Sequence, residues 1–152
     1  MSHIEWFLVA NSARATVYAR AEAGEKVKAV RSFEHPPSRL KTAELGDDKA
    51  GRELSGRGFG GAAFEPKLDP HRKEHLHFAH ELCAFVEHEA QQAAFGSLTV
   101  FAPDPFLGEI KKALGPASTR VLAAAHDTDL SHVGAAELDR RIAKAKARER
   151  HE

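Results

Sequence analysis

The spacing of apolar residues changes character along this chain of 152 residues, and each change limits the fold that can form. Residues 1–34 contain three short runs, EWFLVA, TVYARAE and KVKAVRSFE, separated by turn-forming residues. Alternation with a period of two predicts strands, and the short connections predict an antiparallel β meander. Along the third strand we expect Val27, Ala29 and Phe33 to face inward.

From residue 70 onward, helical and strand patterns alternate. The segment DPHRKEHLHFAHELCAFVEHEAQQAAF predicts a long helix with Asp69 as its N-cap, Pro70 in its first turn and Gly96 as its end. The apolar face of this helix consists of residues at helical spacing: Phe78, Ala79, Leu82, Val86 and Ala93.

The rest of the chain continues this alternation. SLTVFA and TRVLAAA predict strands, and PDPFLGEIKKALGP predicts a short helix between them, with Asp104 as its cap and Gly115-Pro116 as its end. AAELDRRIAKAKARER predicts a final helix. Strands joined through helices pair in parallel by right-handed crossovers. The sequence therefore predicts an α/β fold, with a mixed five-stranded sheet covered by helices, in a single domain spanning residues 1–152.

Composition narrows the class of protein. The formal net charge is zero, so no overall field favours nucleic acid or an anionic membrane. The single cysteine, Cys83, excludes an intrachain disulfide, and its position within the long helix predicts a core residue. No basic leader precedes the first apolar run, and no apolar stretch approaches the roughly 20 residues that span a bilayer. We therefore expect a cytoplasmic protein without a membrane segment.

Several motifs, in order, resemble those of the bacterial host-attachment protein family, described as proteins required for attachment to host cells. They are WFLVANSARATVY, DKAGRELSGRG, FEPKLDPH, HFAHELCAFVE, APDPFLGEIKKAL and DTDLSHV. That family in turn resembles the middle domain of archaeal and eukaryotic class I peptide chain release factors, in which a glycine-rich loop joins a β meander to a long helix. The resemblance implies a ribosomal setting. The release-factor loop ends in a catalytic Gly-Gly-Gln, whereas here Ala62 follows Gly60-Gly61, which argues against release catalysis.

The segment at about 35–69 lacks periodicity and is predicted to be a long loop, with five glycines between residues 51 and 61. Gly56, Gly58 and Gly61 match G-x-G-x-x-G, but the run does not open a helix directly, and no GK[ST] follows. We therefore exclude a nucleotide site. The loop and the start of the helix instead form a candidate site for gripping RNA phosphates, with a plain surface loop as the alternative. The candidate residues are Arg52, Arg57, Gly58, Gly60, Gly61, Lys67, Arg72 and Lys73.

Two further groups of residues have a chemical and a structural interpretation. In HDTDLSH, the side chains of Asp127, Asp129 and His132, together with His126, form a second candidate site for acid–base or metal chemistry. The favoured alternative is that Asp129 and Ser131 shape the local turn.

The histidines of the long helix also suggest a metal. His71 and His75 have a spacing that can chelate zinc, but no H-E-x-x-H motif accompanies them, and packing explains them better. We expect no metal and no cofactor.

The last helix is strongly basic, with six Lys or Arg and one Glu in residues 140–150. Leu138 and Ile142 are expected to pack inward, which leaves the cations on a solvated face or against RNA. Our leading hypothesis is a non-catalytic binding module associated with the ribosome or tRNA. The alternatives are a hydrolase that uses the cluster at 126–132, and a protein-interaction adaptor, most simply a homodimer, that affects host attachment indirectly.

Overall fold

The computed structural model describes residues 3–35 and 70–150, apart from the side chains of residues 70–72 and 150. The described chain forms five strands and four helices. They are β1 (Glu5–Ala10), β2 (Arg14–Arg20), β3 (Lys28–Glu34), α1 (Pro70–Gln91), β4 (Ser97–Ala102), α2 (Phe106–Ala113), α3 (Pro116–Arg120), β5 (Leu122–Asp127) and α4 (Ala135–Arg150).

The strands form one mixed sheet in the order β3-β2-β1-β4-β5. The pairs β1–β2 and β2–β3 are antiparallel, whereas β1–β4 and β4–β5 are parallel. Residues 6–10 of the central strand β1 are all buried, because helices cover this strand on both faces. The predicted mixed five-stranded α/β sheet is confirmed.

One face of the sheet is covered by α1 and α2, which enclose the larger hydrophobic core. We call it the α1 face. Its buried residues come from four strands and both helices: Trp6, Leu8, Ala10, Ala15, Val17, Phe33, Phe78, Ala79, Leu82, Cys83, Val86, Phe95, Leu98, Val100, Ala102, Phe106, Leu107 and Ile110. The helical spacing in α1 therefore predicted its buried side well, except for Ala93.

The opposite face, which we call the α4 face, holds a smaller core beneath α4. Its buried residues are Phe7, Val9, Val27, Phe101, Leu130, Leu138, Ile142 and Ala145. Leu138 and Ile142 are 1% and 0% exposed, so the predicted inward side of the last helix is confirmed.

Each edge strand carries an irregularity in its pairing. In β3, Val30 is an extra residue, because Val17 pairs with Arg31 and Tyr18 with Ala29. This β-bulge interrupts the alternation, so Val27 packs on the α4 face and Phe33 on the α1 face. The expectation that Ala29 faces inward is wrong, since Ala29 is exposed.

The second irregularity lies in β5. There Ala123 is an extra residue, because Leu98 pairs with Leu122 and Thr99 with Ala124. As a result, Leu122 and Ala125 both pack against the α1-face core although they are three residues apart.

The long helix begins at Pro70, as predicted, but it ends at Gln91, five residues before Gly96. Ala93 adopts a positive φ of 59° and is exposed, so it is not part of the apolar face. Its left-handed conformation turns the chain out of the helix. Gly96 therefore does not end the helix. Its backbone N–H donates to the carbonyl of Ile4, the residue just before β1.

The predictions between β4 and β5 need two corrections. Asp104 does not cap α2, whose N-cap position is Pro105 and which has no side-chain cap. Pro116 opens the five-residue helix α3, which was not predicted, and β5 therefore starts at Leu122, three residues after the first residue of TRVLAAA.

The helix α3 is held to α1 by the carboxylate of Glu87. This carboxylate accepts hydrogen bonds from the backbone N–H groups of Ala117 (3.1 Å) and Ser118 (2.9 Å), from the Ser118 hydroxyl (2.9 Å) and from the Gln91 amide (3.0 Å). Two of these donors are otherwise unpaired N–H groups of the first turn of α3. Glu87 therefore connects α1 to the segment that leads into β5.

Candidate functional site

Most of the predicted RNA-binding residues lie outside the part of the chain that the structure describes. These are Arg52, Arg57, Gly58, Gly60, Gly61 and Lys67. Arg72 lies in the first turn of α1, and the described side chain of Lys73, one residue later, is exposed. The glycine-rich site therefore stays a prediction.

The outer side of α4 carries a row of exposed cations, which we call the α4 stripe: Arg140, Arg141, Lys144 and Arg148. Residues three or four apart share one side of a helix, so these four side chains lie along one line. At 1.5 Å per residue, the stripe is about 12 Å long. Three successive turns of α4 therefore each present positive charge to solvent.

One carboxylate, that of Glu137, lies beside the stripe. It accepts hydrogen bonds from Arg140 and Arg141, whose side chains are 71% and 43% exposed. The hydrogen bonds from Arg140 and then Arg141 hold the pKa of Glu137 below its ordinary value, so it stays ionised. Lys144 and Arg148 have no ion pair with any other residue in the described ranges, which leaves the stripe with a net positive charge.

The inner side of α4 uses its charges differently. Lys146 lies 3.8 Å from Glu5 and 6.0 Å from the centre of the Phe7 ring. Glu149 lies 2.8 Å from Nε2 of His126. These charged groups hold α4 against β1 and β5, whereas the side chains of the stripe face solvent.

The second candidate site lies at the carboxyl ends of β1 and β5. The amide of Asn11 donates to the Ser131 hydroxyl (2.8 Å) and to the Asp129 carboxylate (3.3 Å). Asp129 also accepts from the backbone N–H and the hydroxyl of Ser131, at 2.9 and 2.6 Å. The oxygen of Asn11 accepts from the backbone N–H groups of Ala13 and Arg14. This network ties the β1–β2 turn to the β5–α4 connection.

Asp129 is kept ionised by this network. Burial is the largest single influence and would raise its pKa, but the hydrogen bonds from Ser131 and Asn11 and the charge of His132 together lower it below the ordinary value. The carboxylate is thus an acceptor occupied by the turn, as the structural interpretation of this segment expects.

The other members of the second candidate site point to different partners. Asp127 accepts a hydrogen bond from the backbone N–H of Asp104 (3.0 Å), His126 contacts Glu149, and His132 is exposed. Across residues 3–35 and 70–150, no three His, Cys, Asp or Glu side chains are arranged to hold a metal ion. Asp127, Asp129 and His132 therefore do not converge on a common point.

The helix residues singled out from the sequence divide into packed and exposed ones. Cys83 is 1% exposed, its thiol contacts the carbonyl of Ile110, and burial raises its pKa to about 12, which agrees with a core role. His75 is half-buried, whereas His77 and His80 are exposed. The side chain of His71 is outside the described residues.

Two structurally important contacts were not predicted. Asn11 reaches Asp129 across 118 residues of sequence, and no local pattern indicates such a contact. His35 is 4% exposed and packs against α1. Its position two residues after Phe33 in the alternating pattern was the available signal, since both side chains then point to the same face.

No helix in the described ranges is both long and apolar enough to cross a membrane. No curated protein matches the sequence. Among solved structures, the chain is similar to a crystal structure of an archaeal translation termination factor, aRF1, with a TM-score of 0.48 and 11% identity over 97% of this chain and 40% of that one. It is also similar to an archaeal protein, with a TM-score of 0.46 and 12% identity over 97% and 39% of the two chains. The chain thus spans about two fifths of the length of these structures.

The sequence comparison with family models gives a match that spans most of the chain. Residues 6–142 match the model described as "Protein required for attachment to host cells". This range runs from β1 to the middle of α4 and so includes every strand of the sheet. The chain belongs to the host-attachment protein family.

Proposed function

We propose that this protein is a non-catalytic, cytoplasmic RNA-binding module whose α4 stripe contacts the phosphate backbone of ribosomal RNA or tRNA. The observation that carries the proposal is the outward row of Arg140, Arg141, Lys144 and Arg148, opposed by the single carboxylate of Glu137. The choice of RNA to test first follows from the resemblance of the sequence motifs to a release-factor middle domain.

Phosphate recognition suits the chemistry of this surface. Arginine and lysine contacts to phosphates supply affinity without reading the base sequence, and they need only a solvent-facing row of cations. Because the whole chain has no net charge, attraction to RNA would be local to the stripe and strongly weakened by salt. Arg52 and Arg57 belong to the other phosphate-binding site that the sequence predicts, in the glycine-rich segment.

The arrangement of the acidic and histidine side chains favours binding over catalysis. Glu149, Asp127 and Asp129 each have a structural partner, and His132 is exposed. General acid or base catalysis requires a side chain that is free to exchange a proton with a reacting group, whereas these three carboxylates already accept structural hydrogen bonds. The described part of the chain offers a better surface for an anionic partner than a site for chemistry.

The test is co-sedimentation of the protein with ribosomes and with purified tRNA from low to high salt, comparing three double variants. Lys144→Ala/Arg148→Ala removes the unpaired half of the stripe, and Arg52→Ala/Arg57→Ala removes the predicted loop cations. Lys111→Ala/Lys112→Ala, on the exposed side of α2, removes the same charge elsewhere and serves as the matched control.

We expect association that is lost as salt rises, with a log–log salt slope that falls by about 1 for each phosphate contact removed by the first two variants. The control should keep the parent slope. If the protein does not associate with RNA at low salt, or if the Lys111/Lys112 variant loses binding equally, the α4 stripe is not an RNA site. Binding to ribosomes that survives removal of the stripe cations and resists salt would instead indicate the adaptor alternative.

A further inference from the structure

His35 joins two parts of the chain that are distant in sequence. It follows the last residue of β3 and is the last described residue before the segment 36–69, after which α1 begins. Its backbone N–H donates to the carbonyl of Ala13 (3.0 Å) in the β1–β2 turn. Its ring stacks on that of Phe78 in α1, with centroids 5.1 Å apart and an interplanar angle of 26°. His35 therefore connects the end of β3 with both the β1–β2 turn and α1.

The ring of His35 is buried without its full set of polar partners. The residue is 4% exposed, and its Nε2 has no hydrogen bond to any residue that the structure describes. The Phe78 ring beneath it stacks in turn on Phe106 of α2, at 5.9 Å. A neutral imidazole can occupy such a site at modest cost, whereas an imidazolium would leave a charge without a hydrogen-bonded counter-ion against an aromatic surface.

The charged groups that face His35 come from α1. The nearest is the carboxylate of Glu74, 3.9 Å from Nε2, which is beyond hydrogen-bond distance and is on a side chain that is 46% exposed. His75 lies with its ring centroid 6.4 Å away, and His77 and Glu81 act from farther along the helix. Ala13, the contact of His35 in the β1–β2 turn, brings no charge. The two carboxylates favour a proton on His35 and the two histidines oppose one.

Burial outweighs these charges in its effect on the pKa of His35. It is the largest influence on His35 and lowers the pKa of the imidazole below its ordinary value, against the attraction of Glu74. An exposed His35 would therefore take up a proton at a higher pH than the packed one. The packed contact is fully stable above the ordinary histidine value of about 6.5 and weakens as the pH falls below it.

We propose that His35 is an acid-sensitive latch, which holds the end of β3 against α1 while its ring is neutral and releases this contact when the ring is protonated. Release would separate His35 from Phe78, while the strands of the sheet stay paired. This inference does not depend on RNA binding, because it rests on the packing of His35 alone.

The first measurement is made on the unmodified protein by NMR, following the ring Cε1–H of His35 and the exchange of its backbone amide from about pH 7.5 to pH 5. We expect His35 to titrate below the ordinary histidine value. We also expect the protection of its amide, corrected for intrinsic exchange, to fall several-fold relative to that of Val17 in the sheet interior. Titration at or above the ordinary histidine value, or constant relative protection, would overturn the proposal.

The second measurement uses variants. His35→Phe keeps a ring that can stack on Phe78 but cannot be protonated, so the amide of residue 35 should stay protected at both pH values. His80→Phe is the matched control, because it replaces an exposed histidine of α1 and should leave the pH effect unchanged. A pH effect that persists in His35→Phe and disappears in His80→Phe would show that His80, and not His35, controls the contact. If His35→Phe does not fold, the titration of the unmodified protein still decides.

Discussion

The two faces of the sheet are stabilised in different ways. The α1 face is rich in aromatic contacts: Trp6 stacks on Phe95 with centroids 4.3 Å apart and on Phe85 at 5.8 Å, and Arg31 lies over the rings of Phe33 and Phe85. The α4 face has aliphatic residues from a single long helix, and its rim is made of charged groups. There Arg20 and Lys146 lie over the Phe7 ring, and His126 stacks on Phe101 at 5.0 Å.

This difference indicates a division of roles between the helices. On the α1 face two helices bury an extended aromatic core, which carries most of the stability of the fold. On the α4 face one helix buries fewer apolar side chains, and its inner charges, such as Lys146, contact Glu5 at the rim. Its outer charges face solvent, and for that reason the α4 stripe is the better candidate for a partner surface.

The largest effect should come from truncating a core aromatic residue on the α1 face. Phe78→Ala removes contacts with both His35 and Phe106, and we expect it to lower the free energy of unfolding by about 3–5 kcal/mol. Leu138→Ala on the α4 face should lower it by less, at about 2–3 kcal/mol. Denaturant unfolding followed by the fluorescence of the buried Trp6 measures both. Equal losses, or a larger loss for Leu138→Ala, would contradict the division between the faces.

A smaller effect is expected from adding a methyl group at Gly115. A Cβ there would lie 2.5 Å from Oε1 of Glu87, whose carboxylate is fixed by the donors of α3. Displacing it breaks those bonds, so Gly115→Ala should destabilise the fold by about 1–3 kcal/mol.

The matched control for Gly115→Ala is Gly134→Ala, next to α4. A Cβ at Gly134 would meet nothing within 4 Å. This change should alter stability by no more than about 1 kcal/mol, because restriction of the unfolded chain is offset by the weaker N-cap preference of alanine before α4. If the two substitutions have the same effect on the denaturation midpoint, the Glu87 contact does not constrain Gly115.

The sequence explains the fold well where local periodicity decides it. The run EWFLVA and the alternation in TVYARAE predicted the meander, and the spacing of Phe78, Leu82 and Val86 predicted the buried side of α1. Features set by contacts between distant segments were not predictable in this way. Asp104 is a plausible cap, yet its backbone N–H binds Asp127 instead, and PASTR is too short for its helical character to be visible.

The candidate sites show the same limit. The basic character of the last helix is plain from its composition, but which cations face outward depends on the burial of Leu138 and Ile142. The cluster around Asp129 was predicted as a group, and the structure places its members with separate partners. The contact between Asn11 and Asp129 spans most of the sequence, so only the fold reveals it.

A further prediction concerns the α4 face, where the hydroxyl of Thr99 is buried without a hydrogen bond to any residue in 3–35 or 70–150. Thr99→Val replaces this unsatisfied group with an apolar one of the same shape and should stabilise the protein by about 1 kcal/mol. Its neighbour Val100 points to the α1 face, where Val100→Thr should have the opposite sign. Thermal unfolding of the two variants measures both effects. A loss of stability in Thr99→Val would mean that the hydroxyl has a partner in solution.

The smallest effect concerns the dependence of stability on pH in the acid range. The hydrogen bond from Gln91, and then those from Ser118 and Ala117, lower the pKa of Glu87 from 4.5 to about 2. The stabilisation from the ionised carboxylate is therefore present above about pH 4.5 and is lost as the pH falls toward 2. Glu87→Gln should lower Tm at neutral pH and reduce its dependence on pH in this range. A variant whose Tm follows the same pH curve as the parent would show that Glu87 contributes nothing to acid sensitivity.

The extra residues Val30 and Ala123 have a consequence for how copies of this protein meet. They lie in β3 and β5, the two edge strands, where a straight row of unpaired backbone groups would invite strands from other molecules. Deleting Val30 would restore regular pairing with β2 without changing the face of its neighbours, and so would straighten that edge. The folded variant should then aggregate more readily than the parent, because the irregular edges keep the sheet from growing beyond five strands.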